Sequence, residues 1–348
     1  MTRKLATIRT ICGIKPIVGA DAICAYQVDG WWVVDQINKY QIGDLVIYCE
    51  IDSWLPHDLA PFLSKGREPR EFNGIKGERL RTIKLKDQIS QGLLLNLEKE
   101  FTKHFNVHLH LSDGDDLTPY LNIQLWERPI TAYWKTIAKG NFPSFIKKTD
   151  QERVQNLRRD LEKWGEQYLT WEVTEKLDGS SMTVYVNNDK SGVCSRNLAL
   201  IESDDNNFWH VAKRLDLINR LKSLGRNIAL QGELVGPGIQ GNIYGLLQLE
   251  FYVFDIFDID THEYILPEDR YELIRRLNKH INDNMRINLV PVFPDRVIVD
   301  STIDDLLNQA EGVSALNNSI EREGIVFKSF TTQDSFKAIS NKFLLGEK

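Results

Sequence analysis

The stretch Glu175-Lys176-Leu177-Asp178-Gly179-Ser180 sets a primary amine beside a carboxylate. Val173 and Thr174 precede it, and Met182, Thr183, Val184 and Tyr185 follow, so it reads as a strand, a tight turn and a returning strand. Residues i and i+2 of a strand share a face, which puts the Lys176 amine next to the Asp178 carboxylate. Gly179 lets the chain turn and lets a ligand approach the backbone closely. A lysine presented this way can attack a phosphate, although an isolated K-x-D-G is most often a surface ion pair. The residues further along shift that balance. In chain order they are Arg196 in Ser195-Arg196-Asn197, Glu233 in Gly232-Glu233-Leu234 and Phe254 in Phe254-Asp255-Ile256, then Glu323 and Lys328 in Glu323-Gly324-Ile325-Val326-Phe327-Lys328, and Lys337. Carboxylates can hold a divalent cation through oxygen ligands. Arginine and lysine can hold phosphates, and an aromatic ring can cover a base. Together these groups are the inventory for binding a nucleoside triphosphate and attacking it.

Elements must position them. Residues 228–235 and 249–256 read as apolar strands carrying Glu233 and Phe254. A helix is expected over 204–224, with Phe208, Val211, Leu215, Ile218 and Leu221 on its apolar face. Pro267 opens another, carrying Tyr271, Ile274, Leu277 and Ile281. Upstream, Thr149-Asp150 reads as the N-cap of a helix with Val154, Leu157, Leu161 and Trp164 at helical spacing. Arg153 then falls in the first turn, where the helix dipole does not favour a cation. A ligand role is one explanation for it, and plain exposure is the commoner one. Residues 120–170, with Trp126, Tyr133, Trp134, Phe142 and Phe145, are too aromatic for a flexible linker and are expected to pack two domains together.

Residues 1–120 read as short strands (5–17, 22–35, 45–51 and one or two over 79–96) separated by Gly-Asp and Asp-Gly turns. Five or so strands without a strong helix predict a small β-barrel of the OB type, a fold suited to nucleic acid. Between Lys65 and Lys86 stand eight Lys or Arg against three Glu, eight minus three giving a local net of +5 in a chain of net charge −6. Phosphate backbones attract such a patch; a solvated loop of mixed charge is the equal alternative. Trp31-Trp32 can stack bases but reads rather as core. The acidic balance argues against a nonspecific DNA coater. The four cysteines form no C-x-x-C pair, as in reduced, intracellular proteins. Neither a signal peptide nor a membrane span is expected, which points to a cytoplasmic monomer.

The ordered motifs resemble those of the covalent nucleotidyltransferase superfamily, the ATP-dependent ligases and mRNA capping enzymes. Lys176-Leu177-Asp178-Gly179 matches motif I, Ser195-Arg196-Asn197 motif Ia and Gly232-Glu233-Leu234 motif III. Phe254-Asp255-Ile256 matches motif IIIa, Glu323 to Lys328 motif IV, and Lys337 motif V. Ligases of DNA and capping enzymes carry their OB domain after motif V, whereas here eleven residues follow Lys337 and the expected barrel lies in front. That order resembles the Deinococcus-type nick-sealing RNA ligases. So do Gly43-Asp44 through Asp52-Ser53-Trp54-Leu55-Pro56 and Arg81-Thr82-Ile83 through Ser90-Gln91-Gly92-Leu93.

The resemblance implies an α+β fold: an OB-like nucleic-acid-binding domain over 1–120, an aromatic junction and linking helix over 121–170, and an adenylyltransferase domain (an ATP-grasp-like ligase domain of antiparallel sheets with helices) over 171–348. It implies that Lys176 takes AMP from ATP and passes it to an RNA 5′-phosphate, which a 3′-hydroxyl then displaces, with RNA as partner and Mg²⁺ or Mn²⁺ as cofactor. Glu175, Arg153, Arg196, Glu233, Phe254, Lys328 and Lys337 would bind ATP, and Asp178, Glu233 and Glu323 the metal. The chain departs from the family at motif V, where K-x-K becomes Lys337-Ala338-Ile339 and Lys342 is the nearest substitute. Glu323 and Lys328, five apart, would face opposite ways on a regular strand unless Gly324 bends it. A DNA ligase, a GTP-using capping-type transferase or a non-catalytic RNA-binding protein on this fold are the alternatives.

Overall fold

The computed structural model describes residues 3–97, 111–129, 131–294, 297–299 and 301–346. The chain divides into two compact units, Met1–Pro129 with Gln155–Arg158, and Ile130–Val154 with Arg159–Lys348. Among the described residues no helix is long and apolar enough to cross a membrane.

The first unit is built of short strands: β1 (Ala6–Thr10), β2 (Gly13–Pro16), β3 (Ile23–Val28), β4 (Trp31–Gln36), β5 (Leu45–Cys49), β6 (Ser53–Pro56), β7 (Arg70–Phe72), β8 (Ile75–Arg79), β9 (Ile83–Leu85), β10 (Gln88–Ser90), β11 (Leu93–Asn96) and β12 (Gln124–Leu125). Ile8, Ile47 and Leu95 pack with Leu55 and Leu121 into its core. The expected barrel does not close. Among the described residues the ladders form four separate sheets, β1-β5-β11, β2-β3-β4, β9-β10 and β12-β6-β8-β7. The chain turns a corner at Asp52, which holds φ 70°, so β5 and β6 leave that corner to pair in different sheets.

Trp31 is wholly buried, with its ring 5.8 Å from Tyr48 and its Nε1 donating to Asn156 Oδ1 at 2.5 Å. Trp32, half-buried, lies under the Lys15 ammonium instead. The basic stretch is partly neutralised on the surface: Arg70 pairs with Glu78, Lys76 with Glu68, and Arg79 with Asp52 while stacking on Trp126. Exposed pairs such as Lys76 with Glu68 contribute little stability, because water and salt screen them.

The second unit adds β13 (Ala138–Asn141), β14 (Glu152–Arg153), β15 (Thr170–Lys176), β16 (Ser180–Asn187), β17 (Lys190–Cys194), β18 (Leu198–Leu200), β19 (Ile228–Val235), β20 (Glu250–Asp258), β21 (Glu263–Tyr264), β22 (Asn288–Leu289), β23 (Val297–Ile298), β24 (Gly324–Ser329) and β25 (Ser335–Ile339). One sheet runs β13-β18-β17-β16-β19-β20-β21, with β22 also on β20; the other runs β14-β25-β24-β15-β23. Alternation along β16 and β19 puts Met182, Val184, Leu230 and Leu234 into a core shared with the Asn207–Arg214 and Pro267–Leu277 helices. On the second sheet Trp171, Phe327 and Phe336 stack with Trp164 of the Arg158–Glu166 helix. Trp134 and Phe145 pack edge-on against Phe208 and Tyr185 within the second unit.

Two helix expectations change. The helix over 204–224 is two, Asn207–Arg214 and Leu217–Lys222, because Asp216 takes φ 50° between them. Asp150 caps no helix: residues 152–153 form β14, which lies parallel beside β25 and pairs Arg153 with Lys337. The open edge of β25 offers backbone partners, and that pairing overrides the local capping signal.

Candidate active site

Lys176 ends β15, and Ser180 begins β16, yet these strands do not pair. β15 lies in the five-stranded sheet beside β24, and β16 lies in the other sheet beside β19. The expected hairpin is therefore a crossing from one sheet to the other, with the lysine at the cleft between them. Gly179 has a specific reason to lack a side chain. A Cβ there would lie 2.5 Å from the Leu234 carbonyl oxygen and 2.7 Å from Val235 Cγ1. The close approach is to the protein's own β19 and not to a ligand. It lets the Gly179 N–H donate to Glu233 Oε1 at 3.1 Å. Gly179→Ala is expected to destabilise the fold by about 1–3 kcal/mol, the cost of overpacking, and to displace Lys176; a thermal melt together with an activity assay checks this, and an unchanged pair of values would contradict it.

Lys176 Nζ donates to Glu323 Oε1 at 2.6 Å. Burial alone would lower the pKa of this amine, but the carboxylates of Glu323, Glu233 and Asp178 outweigh it and raise it above its ordinary value. Glu323 is the residue just before β24, and Gly324 stands opposite Lys176. A Cβ on Gly324 would meet Ala338 O at 2.3 Å, so the tight fit there keeps Glu323 at the lysine. Glu233 is pushed up to about 8, first by burial and then by Glu323 and Asp178, while Lys176 opposes the shift. The Asp178 N–H donates to the Tyr244 hydroxyl at 2.7 Å, an anchor the sequence did not announce.

Phe254 sits at a bulge. Gln231 pairs with Asp255 and Gly232 with Val253, so Phe254 has no partner on β19 and its ring is re-aimed. Gly232 permits it, since a Cβ would lie 2.4 Å from the Tyr252 carbonyl oxygen. Lys328, buried, donates to the Phe254 carbonyl and to Asp255 Oδ1 at 2.6 Å. Burial lowers its pKa despite Asp255. Behind it, Arg270 Nη2 donates to Glu172 at 2.5 Å and Tyr271 bonds the same carboxylate. None of Asp255, Arg270, Glu172 or Tyr271 was singled out from the sequence for this role; a glutamate in the middle of an apolar strand was the one visible signal.

One cleft, about 620 Å³ up to its open mouth, is lined by Glu175, Lys176, Arg196, Glu233, Phe254, Lys328 and Lys337, a volume within the range of small-molecule sites. Lys337 Nζ meets Asp150 Oδ1 at 3.2 Å. Glu175 Oε2 accepts from the Ala315 N–H, while its buried Oε1 has no hydrogen-bond partner among the described residues. Lys342 does not take the second motif V position. It sits on the Asn341–Leu345 helix near Glu311 and Glu321, and Ile339, the residue two after Lys337, is buried. Among the described residues no group of three or more His, Cys, Asp or Glu stands ready to hold a metal ion. The mutual repulsion that raises Glu233 is nonetheless what a divalent cation relieves, so the donor set fits one.

Comparison with known proteins decides the family. A solved structure of a Naegleria gruberi RNA ligase mutant without ligand is 44% identical, with a TM-score of 0.89 over 99% of this chain and 98% of that one. The chain belongs to the RNA ligase family. The RNA ligase family model matches residues 169–339, and an OB-fold domain model matches residues 5–97. The first unit of this ligase is thus an OB-fold domain whose sheets stay open among the described residues. A Naegleria RNA ligase structure with ATP and Mn is 44% identical with a TM-score of 0.88, covering 98% of each chain. One with pyrophosphate is 44% identical with a TM-score of 0.87, over 99% of this ligase and 98% of that chain. No curated protein matches.

Proposed function

We propose that the chain is an ATP-dependent RNA ligase that seals breaks bearing a 3′-hydroxyl and a 5′-phosphate. The observation that carries this is the Lys176 amine at the mouth of a cleft walled by Arg196 and Lys337, with a bulged phenylalanine beside it. Lys176 attacks the α-phosphorus of ATP, the bond to pyrophosphate breaks, and a phosphoramidate forms. The AMP passes to the RNA 5′-phosphate, and the 3′-hydroxyl displaces it. Arg196 and Lys337 hold phosphates, and Lys337 leaves Asp150 to do so. Phe254 stacks on adenine, with Glu175 toward its amino group and Glu233 toward the ribose or metal. Arg153, beside Lys337 on β14, lies at the phosphate end. Lys328 serves ATP through Phe254 rather than through phosphate. Asp178, Glu233 and Glu323 hold Mg²⁺ or Mn²⁺ directly or through its waters, and the ion neutralises the charge that keeps Lys176 protonated. The OB-fold domain binds the nucleic acid.

The sign of the pH dependence follows from the two shifted groups. Lys176 attacks as the neutral amine, and Glu233 binds metal as the carboxylate; raising the pH through about 8 favours both. Lysyl-AMP formation at subsaturating Mn²⁺ is expected to rise between about pH 6 and about pH 9, and Glu233→Gln should flatten part of the rise. Metal-free stability runs the other way. Glu233 has a folded pKa above its ordinary 4.5, so its contribution is full below that value and is lost as pH climbs to about 8. Melting curves across that window would contradict the assignment if Glu233→Gln left their slope unchanged.

Sealing assays on nicked duplexes, with a ribose or deoxyribose 3′-end, test the substrate. Joining of ribose ends is expected; joining of deoxyribose ends alone would move the assignment to a DNA ligase.

A further inference from the structure

A second cavity, about 540 Å³, opens beside the nucleotide cleft and shares Lys328 and Asp150 with it. It is enclosed by residues 147–151, the start of the Pro267–Leu277 helix and the turn from β24 to β25. Three features give it a chemistry. Arg270 lines it at 1% exposure; its Nη2 is paired with Glu172, and its Nε and Nη1 have no hydrogen-bond partner among the described residues, although Nη1 lies 3.8 Å from Asp255 Oδ1. The helix that begins there has Leu266 at its N-cap and no side-chain cap, with Glu268 and Asp269 in its first turn as the only acids near its positive end among the described residues of that turn. Lys147 and Lys148 line it, Lys147 with its ammonium over the Tyr264 ring and Lys148 donating to Asn197 Oδ1 at 2.7 Å. The acids in the wall are already engaged: Asp150 with Lys337, Asp255 with Lys328, and Asp334 with the Thr332 hydroxyl. Arg270 is itself paired with Glu172, so the positive charge left in the lining is that of Lys147 and Lys148 against Asp334, beside the unused Nε and Nη1 donors of Arg270.

We infer that this cavity is a phosphoryl-binding site, built on Arg270, the helix N-terminus and Lys147-Lys148, next to the adenylation cleft. A buried guanidinium with unused donors is costly unless an acceptor meets it, and a phosphoryl oxygen is the acceptor that a helix N-terminus and lysines together select. Its position beside the nucleotide rests on the reading of the main cleft given above. The phosphoryl group comes from one of two sources, the polyphosphate end of ATP or a phosphate of the RNA strand.

The test uses the full chain carrying Lys176→Met, which stops chemistry, with and without Lys147→Ala and Lys148→Ala together. Both lysines are exposed, so the fold is expected to hold, and a thermal melt confirms it. Binding of AMP, inorganic pyrophosphate, ATP and a 5′-phosphorylated RNA oligonucleotide is measured by calorimetry. The double variant should weaken at least one phosphoryl ligand by about tenfold, the worth of one charge-assisted hydrogen bond, while AMP binds as before. Loss confined to pyrophosphate and ATP assigns the nucleotide's own phosphates; loss confined to RNA assigns the strand. A third variant, Ser335→Asp, places a carboxylate in the wall and should weaken the same ligand. Unchanged binding of all three phosphoryl ligands, or an equal loss for AMP, overturns the site. Failure of AMP to bind any form would instead overturn the reading of the main cleft, whatever pyrophosphate does.

Discussion

Replacing Lys176 with alanine is expected to abolish transfer of AMP to the protein, a loss of about 10⁴-fold or more, because the other lysines lining the cleft are held by carboxylates. Removing a covalent nucleophile removes the step and not a fraction of it. The geometry makes the site intolerant of substitutes. The amine ends β15, is held at 2.6 Å by Glu323, and lies on a crossing fixed by the close contact of Gly179 with β19. Of the other two lysines lining this cleft, Lys328 is buried against Asp255 and Lys337 pairs with Asp150. The loss should appear in adenylylation and in sealing of a 5′-phosphate nick alike, whereas sealing of a nick already carrying a 5′-adenylate should survive in part. Equal loss on the pre-adenylated nick would show that Lys176 does more than carry AMP.

Lys328→Met carries the second large effect, and it separates two roles. A lysine that touches phosphate would lose affinity for ATP much more than for adenosine. The structure places Lys328 on the Phe254 carbonyl and the Asp255 carboxylate, so its removal frees the bulge that aims the ring. Adenosine, AMP and ATP should weaken together, by about tenfold to a hundredfold, the worth of one to two stacking-scale contacts. Stability should fall as well, by about 3–5 kcal/mol, because Asp255 is left as a buried carboxylate without its main partner. Calorimetric binding of the three ligands decides between the roles: a selective loss for ATP would return Lys328 to the phosphates.

The chemistry of this chain was legible where function fixes residue types at short range. Lys176, Glu233, Phe254, Glu323 and Lys337 could be singled out because each brings a distinct group in a recognisable local setting. Their assembly was less legible, since strand partners are chosen across long stretches of chain. Nothing near Ser180 says that β16 pairs with β19 and not with β15. Arg153 looked helical because Thr149-Asp150 is a good capping signal, and the free edge of β25 decided otherwise. Asp52, at positive φ on the corner between β5 and β6, gave no signal in the sequence that those two strands join different sheets. The supporting layer of Glu172, Asp255 and Arg270 was invisible for a different reason: buried ion pairs join residues 98 positions apart, as Arg270 and Glu172 do, and each alone reads as an ordinary charged residue.

AMP is expected to become covalently attached to Lys176. The measurement that meets it most directly incubates the native chain with ATP labelled at the α-phosphate and Mn²⁺, resolves the protein on a denaturing gel, and maps the label by peptide mass. The account predicts a labelled band, absent with GTP labelled in the same position, and an AMP adduct on the peptide that contains Lys176. A labelled protein whose adduct lies on another residue, or no label under either Mn²⁺ or Mg²⁺, would contradict it.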